Sequence, residues 1–210
     1  TINLGSAISG TGILNVNNSF SIPYDITFTF ITINNNNGII GTGKKTYASG
    51  VTINNNNGTL GGGEHILSNG AILNANTFTI ISSTTLTNHG VFNLQSGNIS
   101  GVSNNTFFVN ENDGIVNVNA PTTNQWTNLN FTNKGLFKKV SNTITQFNNN
   151  FGTGTFINDA GVTLSIATGQ EIQFFNNATL NGTISNSGIL SFNALCTLNG
   201  SLVNNGTWNI

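Results

Sequence analysis

Two carboxylates in the segment 109–114 are the strongest candidates for chemistry in this sequence. Glu111 and Asp113 are two residues apart, so on an extended chain both side chains point to the same side. Such a pair is a weak candidate for a structural Ca²⁺ site, because calcium prefers oxygen ligands. It is also a candidate for the acid and base of a polysaccharide-cleaving enzyme. Asp159 or Glu171 would join the pair if the fold brought them into one groove. The simpler interpretation, which we favour, is an exposed corner that carries charges.

Other residue types capable of chemistry stand in less promising contexts. Trp126 lies among polar residues, where its ring would be free to stack on a sugar, although packing in the core is favoured. Glu64 and His65 follow three glycines, which predicts either a ligand pair on a turn or, as favoured, a solvated loop. Cys196 lies in an apolar segment and is expected to fill core space. Apart from the weak carboxylate pair, the sequence predicts no catalytic, cofactor-binding or metal-binding residue.

The composition excludes several classes of protein. The 210 residues carry a net charge of -1, with five Lys and no Arg, so the chain lacks the cationic surface that neutralises nucleic-acid phosphates. A single Cys excludes a disulfide framework. No apolar run reaches the roughly 18 residues needed to span a bilayer as a helix. Polysaccharide-cleaving sites usually recruit Arg or several Lys to bind an acidic sugar, whereas this chain has no Arg and its lysines are dispersed as Lys44 and Lys45, Lys134, and Lys138 and Lys139.

Alternating apolar and polar residues predict strands rather than helices or disorder. The segments 27–33 and 77–80 alternate Thr with Ile or Phe, which is the period of a half-buried strand. Hydrophobic residues make up 37% of the chain, more than a disordered low-complexity sequence contains. No stretch keeps a helical period, so we predict an all-β protein.

Internal repeats identify the β architecture. The sequence ITINNNNG at 31–38 recurs as VTINNNNG at 51–58, and a motif of the form apolar-x-Asn-x-Gly-strand recurs later in the chain. Asn and Gly tolerate left-handed backbone, so each motif predicts a sharp corner. Stacked corners would place their Asn side chains in one ladder. The predicted corner ladder comprises Asn88, Asn112, Asn133, Asn186 and Asn204, with the glycines Gly90, Gly114, Gly135, Gly188 and Gly206.

Repeats of this length predict a parallel β-helix, that is, a β-solenoid. We expect one domain over residues 1–210 with about 9–10 coils of roughly 18–27 residues, right-handed by analogy with crossover connections. A β-propeller would need longer blades, and a β-sandwich would not need corners at near-constant phase. Since no polar cap is visible at either end, we expect a fragment or repeat unit of a longer or polymerising extracellular protein.

The Asn-x-Gly-strand units resemble the Asn/Gly/Thr-rich parallel β-helix repeats of large adhesin-type surface proteins secreted by Gram-negative bacteria. The resemblance covers most of residues 31–210 and implies an extracellular, non-catalytic module that serves as a stalk, filament subunit or adhesive spacer. Expected partners are other copies or flanking repeats stacked end to end, and surface glycans. Neither nucleic acid nor membrane insertion is expected. The alternative is a carbohydrate-binding or polysaccharide-cleaving β-helix in which Glu111, Asp113 and Trp126 act.

Overall fold

The structure is a computed structural model that describes residues 6–17, 24–77, 79–102, 105–148 and 154–210. These residues form an all-β solenoid of parallel strands and contain no helix, which confirms the predicted fold class. Phe78, within the predicted strand at 77–80, lies outside the described residues. The described ranges accordingly hold no helix long and apolar enough to cross a membrane.

Each coil of the solenoid passes over three faces. Face 1 is a sheet made of β2 (Ile13–Asn17), β4 (Thr32–Asn36), β7 (Thr52–Asn56), β9 (Ile72–Asn76), β11 (Val91–Leu94), β14 (Ile115–Val118), β17 (Leu136–Lys139), β20 (Thr163–Ile166), β23 (Thr183–Asn186) and β26 (Ser201–Asn204). Face 2 is made of β5 (Ile39–Gly41), the first halves of β8 (Thr59–Leu67) and β10 (Thr79–Asn88), β12 (Ile99–Gly101), β15 (Asn124–Thr127), β18 (Ile144–Asn148), β21 (Glu171–Phe174), β24 (Ile189–Phe192) and β27 (Thr207–Asn209). Face 3 is made of β1 (Ser6–Ser9), β3 (Ile26–Thr29), β6 (Lys45–Tyr47), the second halves of β8 and β10, β13 (Phe107–Asn110), β16 (Asn130–Asn133), β19 (Thr155–Asn158), β22 (Asn177–Leu180) and β25 (Cys196–Leu198).

The chain runs from face 1 to face 2 to face 3 and back, so each coil has three corners, named 1–2, 2–3 and 3–1. The 20-residue repeat is one coil: Thr32 pairs with Thr52, and Thr52 with Ile72, in parallel register. The described residues make about nine turns. At about 4.8 Å per coil, the ten strands of face 1 extend over about 43 Å of the axis.

Alternate residues of each strand point into the solenoid and form one continuous core. In the first coils the inward residues are mainly aliphatic, such as Ile33, Ile53 and Leu73. From Phe92 onward they include a chain of aromatic rings whose neighbouring centroids lie 4.7–6.2 Å apart, within the range of favourable ring packing. The rings of this chain are Phe92, Phe108, Trp126, Phe131, Phe137, Phe147, Phe156, Phe174, Phe192 and Trp208.

Candidate functional site

A ladder of four buried asparagines runs along corner 3–1 inside the solenoid. Asn88 Nδ2 donates to Asn110 Oδ1 at 2.7 Å, Asn110 to Asn133 at 2.8 Å, and Asn133 to Asn158 at 2.9 Å. All four residues are fully buried. The second N–H of Asn88 reaches across the corner to the Ile115 carbonyl at 3.1 Å. The ladder therefore ties successive coils together and also satisfies backbone groups at the turn, as buried polar groups require.

Asn112 is not part of this ladder, and the prediction that placed it there is wrong. Strand β13 ends at Asn110, which pairs in register with Asn88 on one side and Asn133 on the other. The corner that follows Asn110 is two residues longer than the corner that follows Asn88, so counting back from the glycine selects the wrong asparagine. Asn112 lies exposed in the turn.

Asn158, the fourth member, was missing from the prediction although the sequence holds a signal for it. In each coil of the ladder the asparagine is the last residue of its face 3 strand and follows an inward apolar residue by two positions. The pairs are Leu86 and Asn88, Phe108 and Asn110, Phe131 and Asn133, and Phe156 and Asn158.

The predicted single ladder is in fact divided between two corners. Asn186 and Asn204 lie on face 1 at corner 1–2, where Asn186 Nδ2 donates to Asn204 Oδ1 at 2.8 Å and to the Thr207 carbonyl at 2.9 Å. Asn35 and Asn55 occupy the same inward position in early coils, with a bond of 2.6 Å from Asn35 Nδ2 to Asn55 Oδ1. One sequence motif thus serves two corners, because both need an amide to satisfy a buried turn.

The five predicted corner glycines are required for a different reason from the one expected. None has a positive φ. A Cβ on any of them would lie 2.1–2.3 Å from a carbonyl oxygen of the preceding coil, so only glycine permits the coils to approach this closely. These glycines are Gly90, Gly114 and Gly135 at corner 3–1, and Gly188 and Gly206 at corner 1–2.

Left-handed backbone occurs at other positions of the three corners, among them a regular column at corner 1–2. Asn37, Asn57 and Thr77 have φ values of 58°, 57° and 60°, and Gly97 continues the column at 72°. The residues are one coil of 20 apart, so the left-handed turn is repeated from coil to coil. Asn and Gly adopt this conformation at the lowest cost.

Two further asparagine ladders run along the outer surface of face 1, over its first six strands. The longer one has five consecutive amide–amide bonds of 2.9–3.0 Å, and the shorter has three bonds of 2.9–3.1 Å. A ladder bond uses one donor and one acceptor site of an amide, which leaves further sites directed to solvent. The ladders consist of Asn15, Asn34, Asn54, Asn74, Asn93 and Asn117, and of Asn17, Asn36, Asn56 and Asn76.

The candidate carboxylates Glu111 and Asp113 lie at corner 3–1, where each faces a basic side chain of a neighbouring coil. Lys134 Nζ lies 3.0 and 3.2 Å from the two oxygens of Glu111, and His89 Nδ1 lies 2.8 Å from Asp113 Oδ1. Asp159 lies one coil after Lys134, at the position equivalent to that of Lys134. These cross-coil pairs are partly exposed, so each adds little stability but favours one register of the coils.

The other carboxylate considered from the sequence lies elsewhere. Glu171 begins β21 on face 2, so it does not share a groove with Glu111. Among the described residues, no three His, Cys, Asp or Glu side chains are arranged as metal ligands.

The predicted solvated loop at Glu64 and His65 is wrong, because both residues lie in strand β8. Strand β8 continues through the three glycines, and it directs His65 into the core, where Nδ1 lies 2.9 Å from the Tyr47 hydroxyl. Burial, reinforced by the neighbouring Lys45 ammonium, lowers the pKa of His65 to about 3. Glu64 stays at the surface and pairs with Lys44 at 3.3 Å. His65 is therefore a neutral core residue at physiological pH.

Trp126 and Cys196 both belong to the core, to different degrees. Trp126 is 1% exposed and stacks on Phe108 at 5.8 Å, so its ring is not available to a sugar. Cys196 is half-buried and packs against the core, and burial raises the pKa of its thiol.

Comparisons with known proteins return no relative: no family model, curated protein or solved structure matches the chain.

Proposed function

We propose that this chain is a non-catalytic, extracellular structural module that acts as a rigid stalk, filament subunit or adhesive spacer. The observation that carries the proposal is the continuity of the bonding along the axis. Main-chain ladders and a continuous core link successive coils, and buried asparagine ladders add further links along parts of corners 3–1 and 1–2. Because these links run parallel to the axis, a solenoid of this kind resists bending and keeps a fixed length.

The surface supports the same role. Charged residues make up 5% of the chain, and the three ion pairs among the described residues join neighbouring coils. A surface with few charges responds weakly to ionic strength and does not repel its neighbours. The proposed partners are flanking repeats or other copies of the chain, whose coils would continue the parallel register end to end.

A glycan-binding role has one specific observation in its favour. The outer amide ladders of face 1 hold a regular array of N–H and C=O groups with their spacing fixed by the strands. Such an array would suit a ligand with repeating hydroxyl groups. Trp126 and Glu111 contribute nothing to this alternative, since the first is buried and the second is paired with Lys134.

The rigidity of the module is tested by measuring a distance along its axis. Asn15 and Ser185 occupy the same outward row of face 1 and are eight coils apart by register, or about 38 Å at about 4.8 Å per coil. Spin labels at Asn15→Cys and Ser185→Cys, in a Cys196→Ala background, should give one narrow distribution near that distance. A broad distribution would contradict the spacer role.

The catalytic alternative is tested separately with a panel of neutral and acidic polysaccharides. We expect no release of reducing ends by the intact protein. Release that is lost on Glu111→Ala but kept on Glu64→Ala, a change at another surface carboxylate with a lysine partner, would overturn the structural proposal in favour of an enzyme.

A further inference from the structure

The strand ladder of face 1 is interrupted between β17 and β20. These strands share a single register pair, Lys138 with Ser165, whereas the ladders on either side, β14 with β17 and β20 with β23, have four pairs each. The outer asparagine row ends one coil before the interruption, where Lys138 occupies the position after Asn117.

The side chain of Gln170 takes the place of the missing backbone bond. Gln170 Nε2 donates to the Lys139 carbonyl at 2.8 Å, and Gln170 Oε1 accepts from Ala167 N at 2.9 Å. In the next coil the equivalent groups bond directly, from Ser187 N to the Ile166 carbonyl at 2.7 Å. An amide is thus inserted between two groups that elsewhere meet, and it holds the coils apart at this corner.

A pocket of about 440 Å³ opens beside the inserted amide on face 1. Leu136 and Val140 form apolar walls and are 50% and 48% exposed, while Ala167 and the buried Gln170 line the corner side. Small-molecule sites typically have volumes of about 300–1,000 Å³, apolar walls and a few polar groups. The pocket has this size and this composition.

Two lysines line the pocket, and the exposed Lys138 supplies its positive charge. Lys138 is exposed, and among the described residues no carboxylate lies within ion-pair distance of its Nζ. Lys139 is buried and its Nζ donates to the hydroxyls of Thr143 and Thr145 at 3.3 and 3.1 Å. Burial, opposed in part by Glu171, lowers the pKa of Lys139 to about 8, so this ammonium is still mostly protonated at pH 7.

We propose that this pocket binds a small apolar monocarboxylate, with its carboxylate on the Lys138 ammonium and its apolar body against Leu136 and Val140. The charge of the pocket selects an anion rather than a cation or a neutral molecule. The flexible stem of a lysine lets its ammonium follow the carboxylate. The role is independent of the proposed structural function, since a spacer needs no pocket.

Octanoate is the probe, titrated into the full chain at pH 7 and followed by amide chemical shifts and calorimetry. We expect saturable binding of one octanoate per chain, with shift changes centred on β17 and β20. Octylammonium, which has the same apolar body and the opposite charge, should not bind. Failure of octanoate to saturate below about 10 mM, a limit weaker than ordinary specific binding, or equal binding of octylammonium would overturn the proposal.

Matched variants locate the site. Ala167→Phe fills the pocket and should abolish binding, whereas Ala160→Phe, the same change at an exposed residue of corner 3–1, should leave it unchanged. Lys138→Gln should weaken octanoate binding about tenfold, the loss expected for one charge-assisted contact, and Lys134→Gln should not. Because Lys138 is exposed, its variant keeps the fold. Unchanged binding in Lys138→Gln and Ala167→Phe would refute the assignment.

Discussion

Replacing Asn110 by alanine removes an interior member of the buried ladder at corner 3–1. Asn110 accepts from Asn88 at 2.7 Å and donates to Asn133 at 2.8 Å. The alanine would leave an N–H of Asn88 and an oxygen lone pair of Asn133 buried without these partners. Each buried polar group that loses its partner costs about 1–3 kcal/mol. We therefore expect Asn110→Ala to lower the free energy of unfolding by about 2–6 kcal/mol.

Asn112→Ala is the matched control, because it makes the same change two residues away in the exposed turn. A surface substitution of this kind should change stability by less than about 0.5 kcal/mol. Equilibrium unfolding in urea, followed by far-UV circular dichroism, measures both variants against the parent chain. Equal losses, or a larger loss in Asn112→Ala, would refute the register that places Asn110 in the ladder.

Three other variants test the core, the corners and the buried charge. Trp126→Ala should cost about 3–5 kcal/mol in the same urea assay, and a loss below about 1 kcal/mol would contradict its burial. Gly135→Ala places a Cβ 2.1 Å from the Glu111 carbonyl oxygen and should cost about 1–3 kcal/mol, while Gly12→Ala, where nothing lies within 4 Å, should be nearly neutral by thermal melting. Lys139 has a folded pKa of about 8, below its ordinary 10.5, so the unfolded chain binds more protons between these values. The parent should therefore gain up to about 3 kcal/mol relative to Lys139→Met as pH rises from 8 to 10.5, and parallel stability profiles for the two proteins would contradict this.

The solenoid can be predicted from the sequence because successive coils repeat the same pattern of residue types. Thr and Ile alternate in strands, and ITINNNNG recurs after one coil of 20 residues. The register of individual side chains is harder to predict because corners vary in length. Because of the extra residues between Asn110 and Gly114, an alignment based on glycines selects Asn112. Only the pairing of β13 with its neighbours identifies Asn110 as the ladder residue.

The candidate sites were predicted less well than the fold, for a related reason. Three glycines before His65 look like a turn in the sequence. In the fold they do form corner 2–3, but within strand β8 and not in a solvated loop. A Cβ on Gly63 would lie 2.3 Å from the Gly43 oxygen, and the strand continues into the core. The sequence does not show that the Gln170 amide replaces a backbone hydrogen bond between two coils, because this replacement depends on how the two coils are positioned.

Electron cryotomography of the natural material, with the chain marked by a specific antibody fragment, tests the structural role most directly. We expect the antibody label to lie along continuous rods or filaments outside the cell. The rods should have an axial spacing of about 4.8 Å from the stacked coils. Label on dispersed protein, or inside cells, with no rod connected to it would contradict the account.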